Sequence, residues 1–461
     1  MRKTVLTFII TLGLVIAVGA GYFALSPAVF AFFGGTDAAA AGALSEDGKG
    51  EKTVRTASAE RIRMGTGEEA LRDYPHAEPV LFGDPYLAKA VQENRRAVLK
   101  QREEQEAART EAAEAPESIP EDLHVTFTFA GDILFDENYA TGIAARQSGI
   151  LSRFDEGTRE LMQSADVFAV NNEFCYSDRG TPLAGKTYTL RAKPDTAQWL
   201  QEMGADLVTL ANNHVFDYGE TGLSDTLQTL KNIGMPAIGA GENIEEASAA
   251  AWYALDADGA RWLGNSAEGP EREADDPGMR IAVISTTQVE QFDNPDTRGA
   301  TENQSGVFRC WDPTRLYEAV RTAKEHADFV IVCIHWGVES ESTKEYRQDV
   351  LADGITKAGA DLIVGDHPHV LQAAGAVNGK PVLYSMGNFY FTSYTTDTGL
   401  LQAVFAPAER RLTELRFVPC LQSGTAVQLL QGQEKERVLQ KMRELSSGNG
   451  VTLDGDGVIT W

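Results

Sequence analysis

The sequence predicts an α/β fold built on buried strands, and three observations carry that prediction. First, Ala-Asp followed by an apolar run and a polar cluster recurs four times: "SADVFAVNNE" from Ser164, "GADLVTLANNH" from Gly204, "HADFVIVCIHWG" from His326 and "GADLIVGDHPH" from Gly359. Second, helix-like segments such as "DTAQWLQEMG" precede these runs, and short apolar runs alternating with helices read as strands covered on both faces. Third, two further runs, "HVTFTFAGD" (124–132) and "KPVLYSMGN" (380–388), finish in polar residues in the same manner.

In chain order, Arg2 and Lys3 precede an uncharged stretch over 4–36. It exceeds the roughly 20 residues needed to span a bilayer. Basic residues on its short side place the N-terminus in the cytoplasm and the body outside. The segment 1–36 is therefore read as an uncleaved anchor in membrane lipid, giving a single-pass cell-membrane protein with an extracellular C-terminal domain. Cleavage near the small residues 38–43 is the competing reading. Residues 37–122 form a spacer rich in Ala, Glu, Arg, Gly and Ser. Within it, 88–115 has the composition of a solvated helix with a thin apolar stripe.

The body spans 123–422, and its six strand ends gather Asp132, Asn171-Asn172-Glu173, Asn212-Asn213-His214, His335, Asp366-His367-Pro368-His369 and Gly387-Asn388. In open α/β sheets ligands bind at the carboxyl ends of strands. The polar segment 256–280 reads as a surface excursion. Residues 423–461 supply a helix over 434–445 and a final hairpin, "GVTLDGDGVITW". Its Asp454-Gly-Asp456-Gly lacks the remaining ligands of a calcium loop and reads as a turn.

Composition narrows the function. With 41 Lys+Arg against 67 Asp+Glu, the net charge is -26, which argues against a nucleic-acid partner. The four cysteines (175, 310, 333, 420) form no CxxC pair, so zinc ribbons and redox motifs are absent. No GxxxxGK[ST] occurs, so ATP-driven amide synthesis would need another subunit. Four of seven histidines, 214, 335, 367 and 369, stand at strand ends beside carboxylates and amides. Any one alone reads as a structural hydrogen-bonder. Together with Asp132 and Glu173 they make a mixed N/O ligand set suited to one or two divalent ions such as Mn, Zn or Fe. An extended His367-Pro368-His369 would turn both rings to one side. Arg191 is a candidate to hold a carboxylate or phosphate, and Asp217 to orient His214. Helix capping is the plainer role for Asp217. Trp336 either walls the site or packs, and Asn388 either lines it or holds a turn.

The motifs "GD" (131–132), "NNE" (171–173), "ANNH" (211–214), "HWG" (335–337), "GDHPH" (365–369) and "GNF" (387–389) resemble, in order, the poly-γ-glutamate capsule biosynthesis (CapA-like) family. That family is similar to calcineurin-like metallophosphoesterases, which implies a layered α/β sandwich over about 125–419. The resemblance implies metal ligands at Asp132, Glu173, Asn213, His335, His367 and His369. The implied division is Asp132, Glu173 and His369 around one ion, and Glu173, Asn213, His335 and His367 around the other. It casts His214 as the catalytic histidine, with Arg191, Asp217, Asn171 and Asn388 in supporting or substrate-binding positions. The chain departs from the phosphoesterase pattern. Ile133 and Leu134 replace the first-motif histidine region, Glu173 stands for a bridging aspartate, and Val215 follows the Asn-His pair. No arginine follows the "GD" strand closely; Asp136 does.

The implied function is synthesis, export or attachment of an anionic capsule or wall polymer such as poly-γ-glutamate, with capsule-synthesis membrane partners. The alternatives are a metal-dependent phosphoesterase or amide hydrolase, and a non-enzymatic polymer-binding or assembly factor.

Overall fold

The computed structural model describes residues 118–272, 276–289 and 297–461. The expected anchor (1–36) and the spacer through residue 117 lie outside the described residues. Among the described residues, no helix is long and apolar enough to cross a membrane.

The strands of the first sheet are β1 (Val125–Ile133), β2 (Val167–Asn172), β3 (Leu207–Thr209) and β4 (Ala237–Ile238). Those of the second are β5 (Ala250–Asp256), β6 (Gly259–Ser266), β7 (Met279–Thr287), β8 (Phe329–His335), β9 (Leu362–Asp366), β10 (Ala374–Val377) and β11 (Lys380–Leu383). The chain then returns to the first sheet with β12 (Asn388–Tyr390), β13 (Thr396–Ala406), β14 (Arg411–Ser423) and β15 (Ala426–Leu429). The first sheet runs β15-β14-β13-β1-β2-β3-β4, with β12 also on β1. The second runs β10-β11-β9-β8-β7-β5-β6. The first sheet is parallel from β1 to its edge β4 and antiparallel on the β13-β14-β15 side; the second has a parallel centre and antiparallel flanks.

The two sheets stack face to face. Phe127, Phe129, Val167, Ala169 and Leu207 of the first share one buried cluster with Tyr253, Ile281, Val283, Ile331, Leu362 and Val364 of the second. The outer face of the first sheet is covered by α1 (Ala140–Ser148), α2 (Glu156–Gln163), α3 (Gln198–Met203) and α4 (Gly219–Asn232), through residues such as Met162, Leu200 and Leu223. After the short α5 (Ile244–Ser248), the helices α6 (Thr314–His326) and α7 (Tyr346–Ala358) cover the second sheet with Leu316, Val320, Leu351 and Ile355. The result is a four-layer α/β sandwich. The C-terminal helix α8 (Gly432–Leu445) adds Val438, Leu439 and Met442 to the central core. The terminal hairpin pairs Thr452–Leu453 with Ile459–Thr460, and Asp454 Oδ1 accepts from the backbone N–H of Asp456 and Val458.

The recurring Ala-Asp has a structural cause. Each aspartate clasps the first residues of the neighbouring strand. Asp166 Oδ2 accepts the N–H of Thr126 (2.8 Å), Asp206 that of Phe168 (2.9 Å), Asp328 that of Arg280 (2.7 Å) and Asp361 that of Val330 (3.0 Å). Each aspartate's own N–H returns to the carbonyl of the same residue. The motif therefore sets strand adjacency at the entry end, which aligns the exit ends where the polar clusters stand.

Two expectations are corrected. Residues 259–266 are not a surface excursion but the edge strand β6, hairpinned onto β5 through the turn at Asp256–Gly259. The run 380–388 is not one strand. It leaves the second sheet after Leu383 and enters the first at Asn388, with Gly387 at φ 66 turning the chain. Gly131 lies opposite that turn, where an added Cβ would stand 1.9 Å from the Gly387 carbonyl oxygen. Asp132 N–H donates to that oxygen (3.2 Å). All four cysteines are buried and free.

Candidate metal centre

Six chain segments bring their exit ends to one place. β1 delivers Asp132 and β2 delivers Asn171, with Glu173 just beyond. The loop after β3 delivers Asn213 and His214. From the facing sheet, β8 ends on His335 and β9 is followed by His367 and His369. Asn388 opens β12, in register with Asp132.

The loop after β3 is shaped by Asn212, whose Oδ1 accepts the N–H of His214 and of Val215 (both 3.0 Å). Its Nδ2 donates to Asn171 Oδ1 (3.2 Å) and to the Asn172 carbonyl (2.9 Å). Asn171 is thereby fixed, and its Nδ2 donates to Asp132 Oδ1 (2.7 Å) and lies 3.2 Å from His335 Nδ1.

Two triads share one carboxylate. Glu173, His335 and His367 each present a ligand atom to a common point, and so do Asp132, Glu173 and His369. In the first, His335 Nε2 lies 3.2 Å from Glu173 Oε1, 3.1 Å from His367 Nδ1 and 2.8 Å from Asn213 Oδ1. In the second, His369 Nδ1 lies 3.0 Å from Asp132 Oδ2, 2.9 Å from Asn388 Oδ1 and 3.8 Å from Glu173 Oε2. The structure thus gathers all six residues expected as ligands, with Asn171 and Asn388 bracing them.

His367 and His369 do not reach the site by extended alternation. Their φ angles are 97° and 59°, so both occupy the left-handed side of backbone space. That conformation is costly for residues with a Cβ, of order 1–3 kcal/mol each, and a residue before proline is normally held extended. The strain turns both rings inward from a tight turn, their centroids 5.9 Å apart.

The donor set fits a cation. Glu173 is fully buried, yet neither carboxylate oxygen has a hydrogen-bond partner. Burial, with the charges of Asp132, Glu339 and Asp366, pushes its carboxyl well above the usual range. A buried carboxylate without donors is expensive unless a positive charge meets it. Burial pushes His335 down to about 3. Burial and the neighbouring His335 hold His367 well below its usual value. Unprotonated imidazoles keep the lone pairs that metal ions require. Burial opposes protonation of His369, but the hydrogen bond and charge of Asp132 outweigh it and raise its pKa. Burial likewise opposes ionisation of Asp132, and the same His369 contact overcomes it.

His214 stands at the edge of this set. Its Nδ1 lies 2.7 Å from Asp217 Oδ2, and its Nε2 lies 3.9 Å from Glu173 Oε1. Asp217 therefore orients His214 rather than capping α4, whose N-cap is Tyr218. Burial lowers the His214 pKa against the pull of Asp217. Arg191 is not drawn in: its guanidinium stacks 4.2 Å from the Tyr218 ring and donates to the Arg179 carbonyl (3.4 Å). Trp336 packs, stacked on Tyr384 and donating to its carbonyl (2.8 Å).

Two residues at the site were given no role by sequence reasoning. Asp366 is buried with Oδ1 unpartnered, and burial and the Asp132 charge raise its pKa well above the usual value. Its signal was its place between a strand and two histidines. Lys186 is buried against the Asn213–Asp217 segment. It carried no signal, because a lysine in a polar loop reads as solvent-facing.

The family model described as "Bacterial capsule synthesis protein PGA_cap" matches residues 126–393. The capsule biosynthesis protein CapA of Bacillus anthracis is 28% identical over 359 residues, covering 74% of this chain and 77% of that protein. The PGA biosynthesis protein CapA of Bacillus subtilis strain 168 is 30% identical over 280 residues, covering 60% and 66%. Among solved structures, a 5'-nucleotidase from Candida albicans aligns at 11% identity and TM-score 0.33, covering 73% of this chain and 57% of its own.

Proposed function

Because the chain belongs to the bacterial capsule synthesis protein (PGA_cap) family, we propose that it serves the synthesis, export or attachment of an anionic capsule or wall polymer such as poly-γ-glutamate, at a divalent-metal centre. The observation that carries the reading is Glu173, a fully buried carboxylate without hydrogen-bond partners, shared by two ligand triads. Asp132, Glu173 and His369 would hold one ion, and Glu173, Asn213, His335 and His367 the other. Bound divalent ions act as Lewis acids on carbonyl or phosphoryl oxygens. Two such ions against the carboxylates of Asp132, Glu173 and Asp366 would still leave a locally positive centre, offsetting the -26 net charge where an anionic chain would dock. Asp217 keeps His214 Nδ1 engaged, so Nε2 is the nitrogen presented towards the centre for proton transfer.

The charge pattern at residues 2–36 supports a single-pass anchor in the cell membrane with the body outside, where polymer and membrane partners of capsule assembly would be met. A second reading, a metal-dependent phosphoesterase or amide hydrolase, is favoured by the Asp217–His214 pair directed at the ligand set. The metal content of the purified chain, measured beside His367→Ala, tests both. Near-stoichiometric metal, lost in the variant, supports the centre. No metal in either protein after reconstitution sinks it and moves the weight to an assembly role. With the metal established, γ-glutamyl peptides and aryl phosphates separate the two readings. Aryl phosphate turnover that vanishes in His214→Ala selects the phosphoesterase.

A further inference from the structure

The excursion between Cys175–Tyr176 and Arg191–Ala192 leaves the first sheet and returns to pair in parallel with itself. Most of residues 178–189 face solvent; Leu183, Lys186 and Thr189, spaced three apart, are half-buried. This strap lies on the segment that carries Asn213 and His214, where three of its contacts meet Asp217, while Arg179 ties its start to Asp225. The Leu183 N–H donates to the Asp217 carbonyl (2.8 Å). The Leu190 N–H donates to Asp217 Oδ2 (2.6 Å). The Lys186 ammonium pairs with Asp217 Oδ1 (2.6 Å), and the same Nζ donates to the backbone carbonyl of Asn213.

Lys186 is thus the one inward-facing charge of the strap, with less than a tenth of its side chain exposed. It meets the site at two points. Through Asp217 it braces the acceptor of His214 Nδ1. Through the Asn213 carbonyl it fixes the backbone from which the Asn213 amide reaches His335, 2.8 Å away. A buried ammonium held by a carboxylate and a carbonyl has little freedom to shift, because moving it would strand charge in a low dielectric. No comparable brace from this strap reaches Asp132 or His369 through a contact described above. The two triads should therefore respond differently to its loss.

We propose that Lys186 is a positioning residue for the metal centre: by clamping the Asn213 carbonyl and Asp217 it sets the Asn213 ligand, and so tunes the ion held by Glu173, Asn213, His335 and His367 while leaving its neighbour alone. The proposal rests on the metal-centre reading above. It extends ligand positioning from residues beside the ligands to a solvent-exposed strap.

The test is titration of the metal-stripped full chain with Co2+, followed by calorimetry and by the visible spectrum, in the parent, Lys186→Met and Lys186→Gln. Loss of an outer partner weakens metal affinity roughly 10–100-fold. That loss is expected for one of two equivalents in Lys186→Met, with an altered cobalt spectrum for that equivalent and unchanged affinity for the other. Lys186→Gln, which keeps a donor for the Asn213 carbonyl, is expected to lose less at the same equivalent. It also supplies the answer if Lys186→Met does not fold. Equal loss of both equivalents, or of neither, in a folded variant overturns the proposal while the metal centre stands. Absence of cobalt uptake by the parent overturns the metal centre and this inference together.

Discussion

Glu173 is where the chemistry of single residues is most exposed to test. Its carboxyl is raised in the folded chain, so the fold retains a proton that the unfolded chain releases above the ordinary value of 4.5. The stability it contributes is present below that pH and lost as pH rises through the folded value. Glu173→Gln removes this penalty. At pH 7 the metal-stripped variant is expected to unfold at higher urea concentration than the metal-stripped parent, yet to bind neither ion by calorimetry. His335 has the opposite sign. Its pKa falls from 6.5 to about 3 on folding, so its stability is full above 6.5 and is lost as pH falls towards 3. The slope is about 1.4 kcal/mol per pH unit for each proton concerned. In the Glu173→Gln background, free of the opposing glutamate, the urea midpoint should drop between pH 6 and pH 4. Adding His335→Gln should lessen that drop, with His367 and His214, lowered in the same direction, supplying what remains. At this scale the cluster of candidate ligands was legible, because histidines, carboxylates and amides crowded at strand ends are chemically conspicuous. The route by which His367 and His369 reach the site was not. Two left-handed residues around a proline contradict every local preference, and only the surrounding fold holds them there. Arg191 misled for a related reason: its charge suggested a ligand, while the Tyr218 ring that occupies it lies 27 positions away.

At the scale of elements, the aspartate clasp explains why this chain repeats itself. Ala-Asp before an apolar run was visible as a pattern, but its cause lies in a neighbouring strand some 40 residues earlier and could not be seen in any window. Asp206→Ala, which frees the Phe168 N–H, is expected to cost about 1–3 kcal/mol, read as a lower urea midpoint with unchanged metal stoichiometry. The parallel centres of both sheets were readable because strands buried on both faces are continuously apolar. The flanks were not. Strand β6 alternates weakly and carries Arg261, Trp262 and Asn265 at an edge, a pattern shared with exposed loops. The run 380–388 looked like one strand because no glycine or proline interrupts it between Pro381 and Gly387. Its break at Gly387 is imposed by the approach to Gly131, a contact between segments more than 250 residues apart in the chain.

At the scale of the whole described structure, the candidate ligands divide between two sheets. Asp132, Glu173 and Asn213 come from the first, and His335, His367 and His369 follow strands of the second. Bound ions would therefore tie the sheets together at their common end, as the apolar layer does between them. A ligand that binds only the folded state stabilises by about 2.7 kcal/mol at 100 times its Kd. For a domain of this size that is a rise in Tm of roughly 4 °C. Saturating Mn2+ or Zn2+ is expected to produce it and excess EDTA to reverse it. An unchanged Tm would argue that no ion bridges the sheets.

The order in which those ligands are encoded has a consequence for biogenesis. Until the chain has been extended to residue 335, it contains none of the three candidate imidazole ligands, although Asp132, Glu173 and Asn213 have already been made. Ion capture would then wait until strands of both sheets have been made. With the body delivered across the membrane as proposed, loading occurs on the far side. Which metal the protein carries would then be decided by the supply in that compartment, because affinity order alone seldom selects among divalent ions.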